Sequence, residues 1–396
     1  MRVKTHWLYF YLALTIAAFF FFQKYQPALT YEFAESFDGN DYRYAYQFFS
    51  GQSDDYSVPP PFHQRILVPF MASWLGNGIL QDFQLVNLMF SILSVWIIFL
   101  LWRRLGLEFK WIMFGFIWLI FHWSGLIRLN AFDPITVDVP IYFFQGLLLL
   151  VVFNRKFKAL LWLAPLATAQ KESFIGFMVV LLLYAIWHNR KFQDGYFLLK
   201  PIIAATLLAI SCKLLTSYYF PPTEPGRGAL VMIAYQAKQL LQDPFEIIRW
   251  LAAISMAFGP ILWLSLKNIG KLKPAQAKNN LLFLWAMLSL GYGLLAGGDM
   301  TRISFLGFPF VMTWSLLALQ EKDFTHFQLL AILSLPLMML HTQIPDPAFQ
   351  WDLWQQWYPE FANHRFVLMV IGYTFMVSLI LIIFQKRAAL NPDKVK

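Results

Sequence analysis

Residues 86–102, VNLMFSILSVWIIFLLW, contain no ionisable side chain, and apolar runs of this kind recur from Trp7 to Phe384. About 20 such residues in a helix cross the ~30 Å hydrocarbon core of a bilayer. Within that core every backbone N–H and C=O must find its partner inside the protein, and a helix does this within one segment. Only 13% of the residues are charged, against about 25% in soluble domains. The chain is therefore read as an all-α polytopic membrane protein, one transmembrane domain over residues 1–396.

Twelve spans are expected, at 7–23, 86–102, 111–127, 137–153, 157–170, 173–188, 196–216, 249–266, 280–297, 302–320, 326–342 and 366–385. With both termini in the cytoplasm, the inside segments hold Arg2, Lys4, Arg103, Arg104, Lys110, Arg155, Lys156, Lys158, Arg190, Lys191, Lys200, Lys267, Lys271, Lys273, Lys278, Lys322, Lys386, Arg387, Lys394 and Lys396. These are roughly two-thirds of the 31 Lys and Arg, with fewer than a quarter of the 22 Asp and Glu, as the positive-inside rule requires. The net charge of +9 belongs to these loops and is not a sign of nucleic-acid binding. The first apolar run is long and aromatic, and no small-x-small site follows it, so it is read as an uncleaved helix. Cys212 alone permits no intrachain disulfide.

Polar sequence is concentrated in three outer segments, 24–85, 217–248 and 343–365, which places any chemistry on the outer face. Within them, 62–75, 230–250 and the stripe Trp351, Trp354 and Trp357 read as helices lying in the membrane interface.

Several outer groups can carry chemistry. Asp38 and Asp41, in Phe37-Asp38-Gly39-Asn40-Asp41-Tyr42, read as carboxylates on a tight turn. Such a group can take a proton from a hydroxyl or hold a divalent ion, Mg²⁺ or Mn²⁺; the plain alternative is a turn or helix cap. Arg65 offers the planar fork that grips a phosphate, or else it snorkels among headgroups. Arg128, Asp133 and Asp138 border one short outer turn, and Asp138 falls inside a span, where an unpaired charge is costly. Lys171 and Glu172 stand between two short spans and can neutralise each other. In Gly297-Gly298-Asp299-Met300-Thr301-Arg302, Arg302 opens a helix whose amides also favour an anion. Arg227 sits in a Pro-Gly loop that can close over a headgroup. The histidines lack metal-ligand spacing, and no phosphate loop, dinucleotide fingerprint or HExxH is present.

Taken in order after one span, FDGNDYRY, HQRILVPFMASWL, FDPITVDVP, ATAQKESFIGF and GGDMTRISFLGFP resemble the GT-C superfamily of integral-membrane glycosyltransferases. The resemblance implies transfer of a sugar from a polyprenyl-phosphate donor to a glycan, lipid or protein hydroxyl. The reaction would invert the anomeric carbon, on the periplasmic face of a bacterial inner membrane. It assigns the base to Asp38, with Asp41 as the alternative, and a second acid to Asp133 or Asp138. Arg65, Arg128, Lys171 and Arg302 would surround the donor phosphate, supported by Glu172, Asp299 and Arg227. Asp38 and Asp41 are three apart rather than Asp-x-Asp, and no WWDYG-like motif occurs, which argues against an oligosaccharyltransferase. Two alternative readings from other classes stand beside it. One is a polyprenyl-linked glycan polymerase or ligase, which would use Arg227 and Arg249. The other is a transporter or flippase, which would want ionisable groups at mid-span.

Overall fold

The structure, a computed structural model, describes residues 4–33, 37–193, 195–223, 229–266, 277–295, 299–320 and 324–390. Every regular element among these is helical. The first ten helices are α1 (His6–Tyr25), α2 (Asp38–Phe49), α3 (Leu67–Ser73), α4 (Ile79–Arg104), α5 (Phe109–Phe121), α6 (Arg128–Phe132), α7 (Val139–Phe153), α8 (Leu160–Gln170), α9 (Phe174–Phe192) and α10 (Leu199–Tyr219). They are followed by α11 (Ala229–Gln242), α12 (Phe245–Leu266), α13 (Ala277–Leu295), α14 (Met300–Phe305), α15 (Phe308–Gln320), α16 (Phe327–Ser334), α17 (Trp351–Gln355) and α18 (His364–Leu390).

Among the described residues, five helices, α1, α4, α10, α12 and α18, are long and apolar enough to cross a membrane. Several other expected spans are interrupted. The run 111–127 stops at Phe121, turns through residues 122–127 and restarts as α6. The run 302–320 is divided at Leu306 and Gly307 between α14 and α15. The run 326–342 tightens into a 3-10 turn over Leu335–Met338 and ends at Met339, whose φ of 50° is left-handed. The run 157–170 begins with a 3-10 turn at Phe157–Ala159 and continues as the 11-residue α8, with Pro165 inside it. Apolar composition sets burial, but it does not distinguish one long helix from two short ones joined by a buried turn.

The outer segments differ from expectation in the same way. Residues 62–75 form a 3-10 turn at Phe62–Gln64 and then α3. Residues 230–250 divide at Pro244, where the carboxylate of Asp243 accepts from Phe245 N at 3.0 Å and starts α12. The tryptophan stripe makes only the five-residue α17.

The chain forms two compact units. One comprises Met1–Tyr11, Trp102–Arg128 and Ala234–Lys396; the other, called the acidic unit here, comprises Leu12–Leu101 and Leu129–Ile233. In the acidic unit, α8 packs along α10 and α2 packs on α3. In the first unit, α12 packs on α18, α14 and α15. There Trp102 Nε1 donates to Thr313 Oγ1 at 2.8 Å.

Candidate functional site

The segment read as a tight turn at Asp38 is the opening of a helix. Phe37 occupies the cap position, and Asp38 and Asp41 both lie in the first turn of α2, where exposed amides favour negative charge. Their three-residue spacing places them on one face, and Tyr42 follows on the same side. Gly39 allows this helix to sit tightly. A β-carbon there would overlap the Tyr31 ring and lie 3.1 Å from the Ile135 carbonyl oxygen.

Arg65 reaches this face from the turn before α3. Its Nε and Nη2 donate to the two oxygens of Glu172 at 3.0 and 2.9 Å, and its Nη1 donates to the Tyr42 hydroxyl at 2.9 Å. The side chains of Arg65 and Glu172 are only 10% and 13% exposed. Burial would push the Glu172 carboxyl up, but the charge and hydrogen bonds of Arg65 outweigh it and hold it at about 2. Burial raises the Tyr42 hydroxyl well above its usual range, against the pull of Arg65 and with a push from Asp38 and Asp138.

The junction of α8 and α9 supplies both Glu172 and Lys171. Lys171 pairs not with its neighbour but with Asp138, Nζ to Oδ1 at 2.5 Å, so the charge that looked costly inside a span is met. Asp133 accepts from the Tyr31 hydroxyl at 2.5 Å, and the Tyr31 hydroxyl oxygen in turn accepts from Ile135 N at 2.9 Å. The 130–138 turn is braced by a residue that sequence reasoning missed. The buried amide of Asn87, on α4, lies within 3.3 Å of Asn130 Oδ1 and the carbonyls of Pro134 and Thr136. An uncharged polar residue within an apolar run was the available signal.

Asp38, Asp41, Asp133, Asp138, Arg65, Lys171 and Glu172 thus belong to one connected cluster of the acidic unit. Within it, Asp41 is distinctive. It is half-buried and accepts no hydrogen bond from a described residue. Burial, and then the charge of Asp38, raise its carboxyl to about 6 in spite of Arg65.

Arg128, Asp299 and Arg302 lie in the other unit. Arg128 is buried, with Nη1 donating to the carbonyls of Met338 and Met339 at 3.0 and 3.1 Å and Nη2 to that of Thr342 at 2.8 Å. It closes the end of the α16 segment, and those donors are not available to a phosphate. Asp299 caps α14 through Arg302 N at 3.0 Å and pairs with Arg302 Nε at 2.8 Å. Glu360 accepts from Met300 N at 2.9 Å; burial and Asp299 keep its carboxyl well above the usual range despite Arg302. Arg249 binds the carbonyls of Pro359, Glu360 and Ala362. Arg227, Gly297 and Gly298 lie outside the described residues.

Among the described residues, no three His, Cys, Asp or Glu side chains are placed to hold a metal ion. Among the described residues no third carboxylate is open to join Asp38 and Asp41, because Glu172 and Asp138 are engaged by Arg65 and Lys171. The described donors alone do not make a site for a divalent cation. An apolar groove of about 330 Å³ runs beside α10, lined by Pro165, Leu208, Cys212, Leu215, Tyr219 and Phe220 among others.

No protein-family model, curated protein or solved structure matches the chain.

Proposed function

We propose that the chain is an inverting glycosyltransferase that uses a polyprenyl-phosphate sugar, with Asp41 rather than Asp38 as its base. The observation that carries this reading is the half-buried Asp41 carboxylate, without a hydrogen-bond donor among the described residues and with its proton affinity raised by burial and then by Asp38. A base of that kind is ionised at neutral pH yet stronger than an ordinary carboxylate. It takes the proton of the acceptor hydroxyl as the oxygen attacks the anomeric carbon. The bond from that carbon to the phosphate oxygen breaks, and the electron pair leaves with the polyprenyl phosphate. Arg65 and Glu172 hold the floor of the site through Tyr42, and the groove beside α10 suits an apolar chain. The site faces the periplasm, with twelve crossings and both termini in the cytoplasm.

The test is transfer from a radiolabelled polyprenyl-phosphate sugar against pH. Wild-type transfer should rise through an apparent pKa near 6. Asp41→Asn should lower it by about 10²-fold or more. Asp38→Asn removes a like charge, so its acid limb should move to lower pH while transfer at pH 8 persists. An Asp41→Asn variant as active as the wild type would sink the proposal. The polymerase reading is less well supported, because Arg249 is already bound to three main-chain carbonyls.

A further inference from the structure

The cations first assigned to the donor phosphate in the acidic unit are engaged: Arg65 by Glu172 and Lys171 by Asp138. Lys213 is different. It lies inside α10, a membrane-crossing helix, six residues before Tyr219, or about 9 Å along the axis. It is half-buried, and among the described residues no carboxylate lies within ion-pairing distance of it. An ammonium at such a depth is costly unless an anion meets it.

A second group beside it has one ring nitrogen without a partner among the described residues. His63, in the 3-10 turn that packs on α10, is buried and within electrostatic range of Lys213. Its Nε2 lies 3.2 Å from Gln64 Nε2, whose amide also donates to Ser217 Oγ at 2.8 Å. With the Gln64 amide placed as donor, Nε2 is the acceptor and the ring proton sits on Nδ1. That Nδ1 is buried and has no hydrogen-bond partner among the described residues. Burial favours the neutral ring, opposed by Glu172 and reinforced by Arg65 and Lys213. An ammonium and a buried N–H at one end of a spanning helix, neither partnered among the described residues, together suit an acceptor-only, negatively charged ligand.

We propose that Lys213 and His63 seat the phosphate of a membrane lipid. The inference rests on the preceding reading only in expecting that lipid to be the polyprenyl-phosphate donor. An anion reaching this depth must be carried by a chain that partitions into the bilayer, which points to a lipid phosphate rather than a soluble one. The bland alternative is that Lys213 stretches along its stem to touch bulk headgroups. In that case no particular lipid would depend on it.

The full-length protein in phosphatidylcholine nanodiscs, titrated with a polyprenyl monophosphate, phosphatidylglycerol or inorganic phosphate, separates these cases by native mass spectrometry. Lys213→Met preserves length and apolarity. It should weaken binding of the preferred lipid phosphate about tenfold or more, while Lys213→Arg should stay within a few-fold of wild type. Saturation by the polyprenyl monophosphate or by phosphatidylglycerol identifies the source, and either supports the site. Unchanged binding in Lys213→Met, or inorganic phosphate binding as tightly as the lipids, would overturn it. The two proposals fail separately. Transfer unaffected by Asp41→Asn removes the glycosyltransferase base and leaves a Lys213-dependent lipid in place. Lipid binding indifferent to Lys213 removes the seat and leaves Asp41 untouched.

Discussion

A guanidinium with both edges occupied does different work from an open one, and Arg65 is of the first kind. It fixes the positions of Glu172 and Tyr42. Because the Glu172 carboxyl is depressed to about 2, the pair's contribution is present above the ordinary carboxylate pKa of ~4.3 and is lost as pH falls towards 2. Removing one partner leaves the other buried and unmet. Glu172→Ala should therefore lower stability by about 3–5 kcal/mol, whereas replacing both with apolar residues should cost far less. Denaturant titration in detergent checks this; equal losses from the single and double changes would contradict it. At this scale the sequence was partly legible. The acids and bases of the cluster were all visible as charges in a charge-poor chain. Their partners were not, since Lys171 reaches Asp138 rather than adjacent Glu172, and that choice is made by packing. Lys213 went unremarked because a lysine near a span end looks like an ordinary snorkelling residue.

At the scale of the element, α2 decides where the acids sit. Its sequence, DGNDYRYAYQFF, carries a Gly-Asn pair that signals a turn. The helix forms nonetheless because Gly39 admits the Tyr31 ring and because Tyr46 donates to Asp82 on α4 at 2.8 Å. Tertiary contact overrides local preference here, and no single-chain pattern reveals it. Alanine is ordinarily the better helix former by about 1 kcal/mol. At position 39 the sign should reverse. Gly39→Ala must displace Tyr31 or the helix, and it should destabilise by roughly 1–3 kcal/mol. It should also shift the acid limb of any Asp41-dependent activity, because the Asp38–Asp41 face moves with the helix. A thermal melt equal to or above wild type would refute this packing.

For the molecule as a whole, the apolar runs announced a helical membrane protein, and the five long helices agree. The interruptions were hidden because a turn buried among apolar neighbours has the same composition as a helix. α12 shows how such a break is sustained. Gly259 adopts φ 62° and ψ −158°, and Pro260 has no N–H to offer the carbonyl of Met256. Helix α5 and the residue that caps it supply donors at this break. His122 Nε2 lies 2.9 Å from Met256 O, and Trp118 Nε1 donates to Ala257 O at 2.8 Å. His122, which has no metal-ligand spacing, serves the backbone. Gly259→Ala should cost about 1–3 kcal/mol through backbone strain alone, with Trp118 leaving no room for relief. Unfolding measured in mixed micelles should show the loss, and an unchanged midpoint would contradict it.

The kink has a further consequence for biogenesis. A straight transmembrane rod can enter hydrocarbon alone, because its hydrogen bonds are complete before it arrives. α12 cannot, since the carbonyl of Met256 has no donor until His122 lies alongside. His122 precedes Met256 by 134 residues, so synthesis from the N-terminus delivers the donor first. A circularly permuted chain that made α12 before α5 would present that carbonyl to lipid with nothing to receive it.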